Sequence, residues 1–378
     1  MRKMRVAAVI MIVLALSVSA VMGGGGAGAA PAEVRLPTPT GGFAIGRDVL
    51  QLVDDSRRDP WQPERARELM VDMFYPARAA VGEPAPYASA AQVRALLAGV
   101  GSTGEGAEAL SGAETHGVVG APPAAGVYPL VVLSPGLTAP RYTLTAVAEE
   151  LSSRGYVVAA VDHAGESFGA EFPGGRMSTC IACEHVEDTG GFALVARTRA
   201  RDIGFLLDRI TGPAAVWPHA RLIDTTRIGM AGQSIGGASA AATMAADARV
   251  RAGVNMDGSL PDVIPEGGLG DRPFLLLGAD GESGPGGGEP SWDAAWQRLR
   301  GWKRWMTLVG ADHNSFTDIP ALAEQVGVPG DAVLPAGRAV ELTRAIVAAF
   351  FDQQLRAIAQ PLLDGPDPAW PELRFHNR

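Results

Sequence analysis

Short apolar runs that alternate with helical segments constrain the fold of this 378-residue chain more than any other feature. The runs show no polar alternation, which is typical of strands buried on both faces of a parallel sheet. They lie at residues 129–134, 156–161, 227–231, 250–256, 273–278 and 305–309. Helical patterns lie between and after them, at 143–154, 192–210, 234–246, 292–300 and 338–355. Because parallel strands need such crossovers, this order predicts an α/β fold with a mostly parallel central sheet and helices on both faces.

The first thirty residues predict an export signal. A basic start that includes Arg2 is followed by an apolar run over Val6–Met22 and by small residues as far as Ala30. This order is typical of a secretory signal peptide, and the run is shorter than the ~20 apolar residues of a membrane-spanning helix. We therefore expect a signal peptide at 1–30, cleaved near Ala30 or earlier at Ala20, and a secreted protein.

The remaining residues, 31–378, are predicted to form a single domain. Its Pro- and Gly-rich start, 31–45, is expected to be an extended arm, and a strand is predicted at 69–75. Two stretches with weaker patterns, 79–126 and 164–191, are predicted to be surface excursions. The first contains a helix near 90–98, and the second is expected to lie over the site.

Charge and cysteine content narrow the function further. The net charge of −9 excludes the basic surface of a nucleic-acid-binding protein. The two cysteines, Cys180 and Cys183, are compatible with a structural disulfide, with free thiols, or with a metal or redox site that includes His185. A structural zinc ion takes four ligands, and only three are in view. No cofactor and no metal is expected.

Two segments match the pattern Gly-x-Ser-x-Gly, centred on Ser234 and Ser167. With 48 glycines in the chain the pattern alone is weak, so the context has to decide. In a nucleophile elbow the serine lies on a tight turn between a strand and a helix. Ser234 follows an apolar run and precedes a helix of small residues, whereas the sequence after Ser167 cannot begin a helix. Ser234 is thus the predicted nucleophile of an α/β-hydrolase domain spanning 31–378.

The general base must follow the nucleophile in the chain, because the order in this fold is Ser, then Asp or Glu, then His. Only His313 and His376 do so. His376 is close to the C-terminus in a polar tail, whereas His313 follows the predicted strand at 305–309, where catalytic groups of such sheets lie. His313 is the predicted base.

The acid and the oxyanion donors are predicted from the same sheet edge. Asp257 and Asp280 each follow a predicted strand, and local chemistry leaves both open as the partner of His313. The alternative role for either is to cap a turn. The oxyanion hole is predicted from the backbone N–H groups of Ile235, next to the nucleophile, and Leu137, in the turn after the strand at 129–134.

Several of these segments resemble the secreted platelet-activating factor acetylhydrolases. The turn over Ser134–Leu137, the elbow, and the stretch Leu151–His163 are similar to that family, from about residue 128 to 316, with a thinner match at Arg67–Pro76. The resemblance implies that the acid is Asp257, whereas a cutinase-like layout would select Asp280. Pro135 departs from the family pattern, in which a histidine is common.

Together these features predict a secreted serine carboxylic-ester hydrolase that works through an acyl-enzyme intermediate on short-acyl lipid or phospholipid-type esters. The alternatives are a cutinase-like lipase or polyester hydrolase, and a non-catalytic binding protein on a hydrolase scaffold. The expected partner is a small ester or lipid substrate, with transient contact to a lipid surface and no nucleic acid. The sequence leaves the oligomeric state and the acyl-chain length open.

Overall fold

The computed structural model describes residues 34–104, 106–186, 191–281, 283–328 and 330–376, so the predicted signal peptide at 1–30 lies outside the described residues. The strands are β1 Ala44–Arg58, β2 Ala66–Ala77, β3 Gly117–Val119, β4 Tyr128–Ser134, β5 Val157–His163, β6 Glu171–Phe172, β7 Arg176–Met177, β8 Ile223–Gln233, β9 Val250–Met256, β10 Gly268–Asp271, β11 Phe274–Ala279, β12 Lys303–Leu308 and β13 Leu373–Phe375.

Within the described ranges, ten of these strands form one sheet in the order β13-β12-β11-β9-β8-β4-β5-β2-β1-β3. Every neighbouring pair from β5 through β12 is parallel. Strand β2 is antiparallel to β5 and to β1, and β13 is antiparallel to β12. The predicted mostly parallel sheet is therefore confirmed, and the carboxyl ends of its central strands meet at one edge.

The helices are α1 Ala90–Gly99, α2 Ala107–Ser111, α3 Thr145–Ser153, α4 Ile181–His185, α5 Gly191–Thr211, α6 Ile235–Ala246, α7 Pro290–Arg298, α8 Ile319–Gln325 and α9 Ala336–Arg356. Helices α5, α6 and α7 bury their apolar side chains on one face of the sheet, and α3 and α9 do so on the other. Strands between two such layers have no solvent-facing side, which explains why β4 and β5 are buried along their whole length and mostly apolar.

The stretch 79–126 is more than the surface excursion that the sequence predicts. Its helices α1 and α2 contribute to a third apolar cluster, which includes Leu96, Leu97 and Leu110. The predicted extended arm also enters this cluster, because Val34 and Leu36 are buried in it. The prediction was incomplete because the apolar residues of this stretch are few and spread among glycines and prolines, so that only the assembled fold brings them together.

The stretch 164–191 begins beside the turn Ser134–Leu137, which is predicted to supply an oxyanion donor and is called the oxyanion turn below. A bridge joins Thr138 to Ser167, and the hairpin β6–β7 and helix α4 follow. Cys180 and Cys183 form a disulfide at the start of α4, so the first of the three alternatives for these cysteines describes the structure. Residues 187–190 lie outside the described residues.

Candidate active site

Ser234 lies at a tight turn between strand β8 and helix α6. Its backbone has φ 55° and ψ −126°, a conformation that residues other than glycine rarely adopt and that costs on the order of 1–3 kcal/mol. The turn is fixed by the Ser234 N–H, which donates to Met256 O at 2.8 Å. It also needs glycine, since a Cβ at Gly232 would collide with the backbone of Gly236, and one at Gly236 with Ser134 O. The close approach forces the serine side chain out of the turn.

Ser167 has a different setting from Ser234. It is only 3% exposed, and a two-stranded hairpin rather than a helix follows it. Its hydroxyl is buried and has no hydrogen-bond partner among the described residues. Of the two motif serines, Ser234 alone has the strand–turn–helix geometry and a partly exposed side chain.

His313 lies in the loop after strand β12, and a helix cap fixes its backbone there. Asp312 accepts hydrogen bonds from the N–H groups of Asn314 and Ser315, at 3.0 and 2.9 Å, and so begins a short 3₁₀ helix at His313. The imidazole is 44% exposed, and its Nδ1 lies 2.7 Å from Asp257 Oδ2. The other histidine considered, His376, contacts Thr307 Oγ1 at 2.8 Å.

Asp257 follows strand β9 and is almost fully buried, with a side-chain exposure of 9%. Burial opposes its ionisation, but the hydrogen bond and charge of His313 outweigh this penalty and lower the pKa of Asp257. Ser283 Oγ at 2.6 Å and the Ala279 N–H at 2.8 Å bond its other oxygen. The carboxylate is therefore ionised at neutral pH and fixed in direction. No sequence pattern identified Ser283 as part of the site.

Asp280 is close to the same loop but serves another purpose. Its carboxylate accepts from the Gly310 N–H at 3.1 Å and pairs with Arg374 at 3.3 Å. It thereby braces the turn that precedes His313. The structure brings Asp257 to the imidazole, and Asp280 to the backbone behind it.

Gln233 is a further residue at the base that the sequence analysis did not single out. Its side-chain amide donates to His313 O at 3.0 Å, and the same nitrogen lies 3.2 Å from His313 Nε2. An amide nitrogen can only donate, so Nε2 must accept, and the ring proton is then on Nδ1, facing Asp257. This is the tautomer that a general base needs. Gln233 occupies the variable position of the motif, so the pattern itself carries no signal for it.

The two predicted oxyanion donors lie on either side of the elbow. Ile235 is the first residue of α6, and its N–H therefore has no partner within the helix. Leu137 lies in the turn after β4, where a Cβ added to the neighbouring Gly136 would stand 3.4 Å from Ser234 Cβ. Within the described ranges neither N–H donates to a backbone acceptor. Both donors are thus available to a substrate oxygen beside Ser234.

Comparison with known proteins places this geometry in a family. A family model described as platelet-activating factor acetylhydrolase, isoform II, matches residues 111–172. A probable 1-alkyl-2-acetylglycerophosphocholine esterase of Arthroderma benhamiae is 28% identical over 90% of this chain and 93% of its own length. The chain is thus similar to the platelet-activating factor acetylhydrolases. The resemblance predicted from the sequence is confirmed.

Two further relatives of this chain are informative. A platelet-activating factor acetylhydrolase of Gallus gallus is 23% identical over 53% of this chain and 54% of its own length. A solved structure titled as a ferulic acid esterase from Streptomyces cinnamoneus has 43% identity and a TM-score of 0.81, and the match covers 92% of this chain and all of that one. The chain therefore has the α/β-hydrolase fold and is a carboxylic ester hydrolase.

Proposed function

We propose that this chain is an exported serine esterase in which Ser234 is the nucleophile, His313 the general base and Asp257 the acid. The observation that carries the proposal is the pairing of a strained strand–helix turn at Ser234 with the 2.7 Å contact between His313 Nδ1 and Asp257 Oδ2. The reaction would be acyl transfer to the serine, followed by hydrolysis. Ile235 and Leu137 would supply the oxyanion donors.

In the first half of the reaction, Ser234 Oγ attacks the ester carbonyl carbon and its proton passes to His313 Nε2. The negative charge that forms on the carbonyl oxygen is stabilised by the N–H groups of Leu137 and Ile235. The tetrahedral adduct then collapses, the C–O bond to the alcohol breaks, and His313 returns the proton to the leaving alcohol. Asp257 stabilises the imidazolium in between, and the acyl group remains on Ser234.

In the second half, a water molecule attacks the acyl carbon and gives its proton to the same imidazole. The acid product leaves and Ser234 regains its proton. Gln233 bears on both halves of the reaction, because its amide nitrogen lies 3.2 Å from His313 Nε2, the atom that must receive these protons. Its second bond, to His313 O, can hold the loop while Nε2 turns to the serine.

For the substrate, a short-acyl phospholipid-type ester is the first candidate, because the family model and the Arthroderma relative carry names of that chemistry. An ester of ferulic acid is the second candidate, favoured by the 43% identity to the Streptomyces esterase. Hydrolysis of an oxidised short-chain phospholipid, methyl ferulate, 4-nitrophenyl esters of increasing chain length and a polyester film separates these candidates from the cutinase-like alternative. Turnover of the film at the highest rate would favour that alternative.

The nucleophile is tested with a fluorophosphonate probe on the mature protein. Ser234→Ala should abolish labelling and reduce turnover by several powers of ten, because the three catalytic residues act as a unit. Ser167→Ala is the matched control, since it changes the buried serine of the second motif. Labelling that survives Ser234→Ala would overturn the proposed nucleophile.

A further inference from the structure

A cluster of buried charges lies directly behind the oxyanion turn and has no part in the reaction described above. We define this buried ionic cluster by residues on β2, β5, α5 and the segment after β5: Arg67, His163, Glu166, Arg199 and Asp202. Each of their side chains is at most 1% exposed. Buried charges of this kind are costly unless each has partners, so their arrangement has to be accounted for.

Arg199 connects this cluster to the oxyanion turn. Its Nε donates to Glu166 Oε2 at 2.6 Å, while Nη1 donates to Ser134 Oγ at 3.1 Å and to Pro135 O at 2.5 Å. The planar fork of an arginine makes such divergent contacts possible, whereas the point charge of a lysine does not. Pro135 and Ser134 are two of the residues that lead into the Leu137 N–H.

Ser134 is held by a second partner as well. His163 Nε2 lies 3.1 Å from Ser134 Oγ, and His163 Nδ1 lies 2.8 Å from Asp202 Oδ2. Burial and the charge of Arg199 lower the pKa of His163, so the ring is neutral at pH 7. With the ring proton shared with Asp202, Nε2 accepts from Ser134, whose oxygen accepts in turn from Arg199. The hydroxyl thus donates one hydrogen bond and accepts another, which fixes its direction.

The other sides of the turn are in contact with the reaction centre and with the second motif. A Cβ at Gly236 would collide with Ser134 O and stand 2.8 Å from Pro135 O, so the turn rests on the start of α6. At its far end the Thr138 N–H donates to Glu166 O at 2.9 Å, and the Phe168 N–H donates to Thr138 O at 2.9 Å. Leu137 lies between these fixed points.

We propose that Arg199 is a positioning residue for the oxyanion hole. By bonding both Ser134 Oγ and Pro135 O, its guanidinium fixes the peptide planes that lead through Gly136 and so directs the Leu137 N–H at the ester carbonyl oxygen. This inference rests on the proposed function, because it assumes that the ester carbonyl binds beside Ser234. Removing an oxyanion donor outright typically lowers kcat by about 10²–10³. Loosening the turn that positions this donor should lower kcat by a smaller factor.

Arg199→Lys is the test variant, since a lysine keeps the positive charge beside Glu166 and loses the bond to Pro135 O. We expect kcat to fall by roughly 10- to 100-fold with KM nearly unchanged, as befits an interaction made mainly in the transition state. Affinity for an arylboronic acid, whose serine adduct presents an oxyanion, should fall by the same factor. The pH dependence of kcat/KM should not move, because His313 and Asp257 are untouched.

Arg344→Lys is the matched control. Arg344 is also buried, donates to two backbone carbonyls, Pro37 O at 3.2 Å and Thr38 O at 2.6 Å, and pairs with Glu150, but it does so on the N-terminal arm. The Arg344→Lys variant should be less stable to urea and should keep its kcat. Equal loss of kcat in both variants would mean general loosening and would overturn the proposal, as would a folded Arg199→Lys protein with normal kcat.

If Arg199→Lys does not fold, Ser134→Ala leaves every charge of the cluster in place and removes one anchor of the turn. It should lower kcat and boronic acid affinity in parallel, and a normal value of both would overturn the proposal. Failure of the proposed function looks different, because Ser234→Ala would then retain labelling and turnover whatever Arg199→Lys does.

Discussion

Ser234 and Asp257 both have a positive backbone φ, of 55° and 54°. Only glycine adopts such angles without strain, so each residue costs the fold on the order of 1–3 kcal/mol. Both lie where a strand ends at the catalytic edge of the sheet. The strain is therefore concentrated at the two positions from which a side chain has to leave the sheet in a set direction.

This strain predicts that Ser234→Gly is more stable to urea than Ser234→Ala, by about 1 kcal/mol. Both variants lose the hydroxyl and all turnover, and they differ only in whether the residue at position 234 tolerates a positive φ. Urea unfolding followed by fluorescence measures the difference. Equal midpoints and slopes for the two variants would contradict the idea that the elbow stores strain.

The acid is tested by comparing Asp257→Asn with Asp280→Asn at saturating substrate. An amide at position 257 would favour the wrong tautomer of His313, and in the serine protease precedent such a change lowered kcat by roughly 10⁴. Asp280→Asn loses only the charge that braces Gly310 and Arg374, so we expect a loss of about 10-fold at most. Both variants must first be shown to be folded.

The reverse order, with Asp280→Asn the crippling change in a folded protein, would favour the cutinase-like layout. From local sequence pattern both carboxylates were open, since both follow a strand of the same sheet, and the resemblance to the acetylhydrolases selected Asp257. The difference between them lies in the direction of the side chain, which depends on the positive φ of Asp257 and on Ser283, 26 residues further along the chain. Neither the positive φ nor the contact with Ser283 can be read from the local sequence pattern.

At the scale of elements, the buried strands β4, β5, β9 and β11 were predictable because their sequences are mostly apolar. Strand β1, fifteen residues long, was not predicted as a strand, because charged residues interrupt its apolar ones and much of its length is exposed. Helix α5 was predicted as an amphipathic helix, but its buried Arg199 and Asp202 were not predicted to face inward. They lie one turn before the buried Ile203 and Leu206. Charges on that face were a readable signal of the buried ionic cluster.

Helix α3 begins against a carboxylate from another element. Asp318, which precedes α8, accepts from the Ala146 N–H at 3.2 Å. Burial raises the pKa of Asp318 well above its usual range, and the charge of Glu149 adds to this effect. The stability that such a group contributes is complete below the unfolded pKa of about 3.9 and is lost as the pH rises through the folded pKa.

We therefore expect Asp318→Asn to be destabilised least, relative to the natural protein, at high pH. The asparagine cannot titrate and keeps an acceptor for Ala146. The difference in the free energy of unfolding should shrink between pH 5 and pH 8, by at most about 1.4 kcal/mol per pH unit. Urea titrations at pH 5, 6.5 and 8 measure it, and parallel pH profiles for the two proteins would show that Asp318 does not titrate in this range.

At the scale of the whole molecule, one prediction concerns the cellular location of the protein. No helix in the described residues is long and apolar enough to cross a bilayer. We propose export on the basic, apolar and small-residue order of residues 1–30. Expressed with its full N-terminus in a secreting bacterial host, the protein should appear in the medium with an N-terminus near residue 31 or residue 21 by mass spectrometry. An uncleaved protein that stays with the cells would contradict the proposed signal peptide.

The sheet also ends in a way that bears on crowded solutions. Its outermost strands, β3 and β13, have only three residues each, and β3 pairs with no more than Ile45 to Arg47 of β1. Beyond that point the free edge of β1 passes Asp48 and an apolar stretch with exposed Val49 and Val53, and it ends in the charged residues Asp54, Asp55, Arg57 and Arg58. Charged residues on a free edge disfavour the addition of a strand from another molecule. Short border strands and a charged strand end thus disfavour edge-to-edge polymerisation of the sheet.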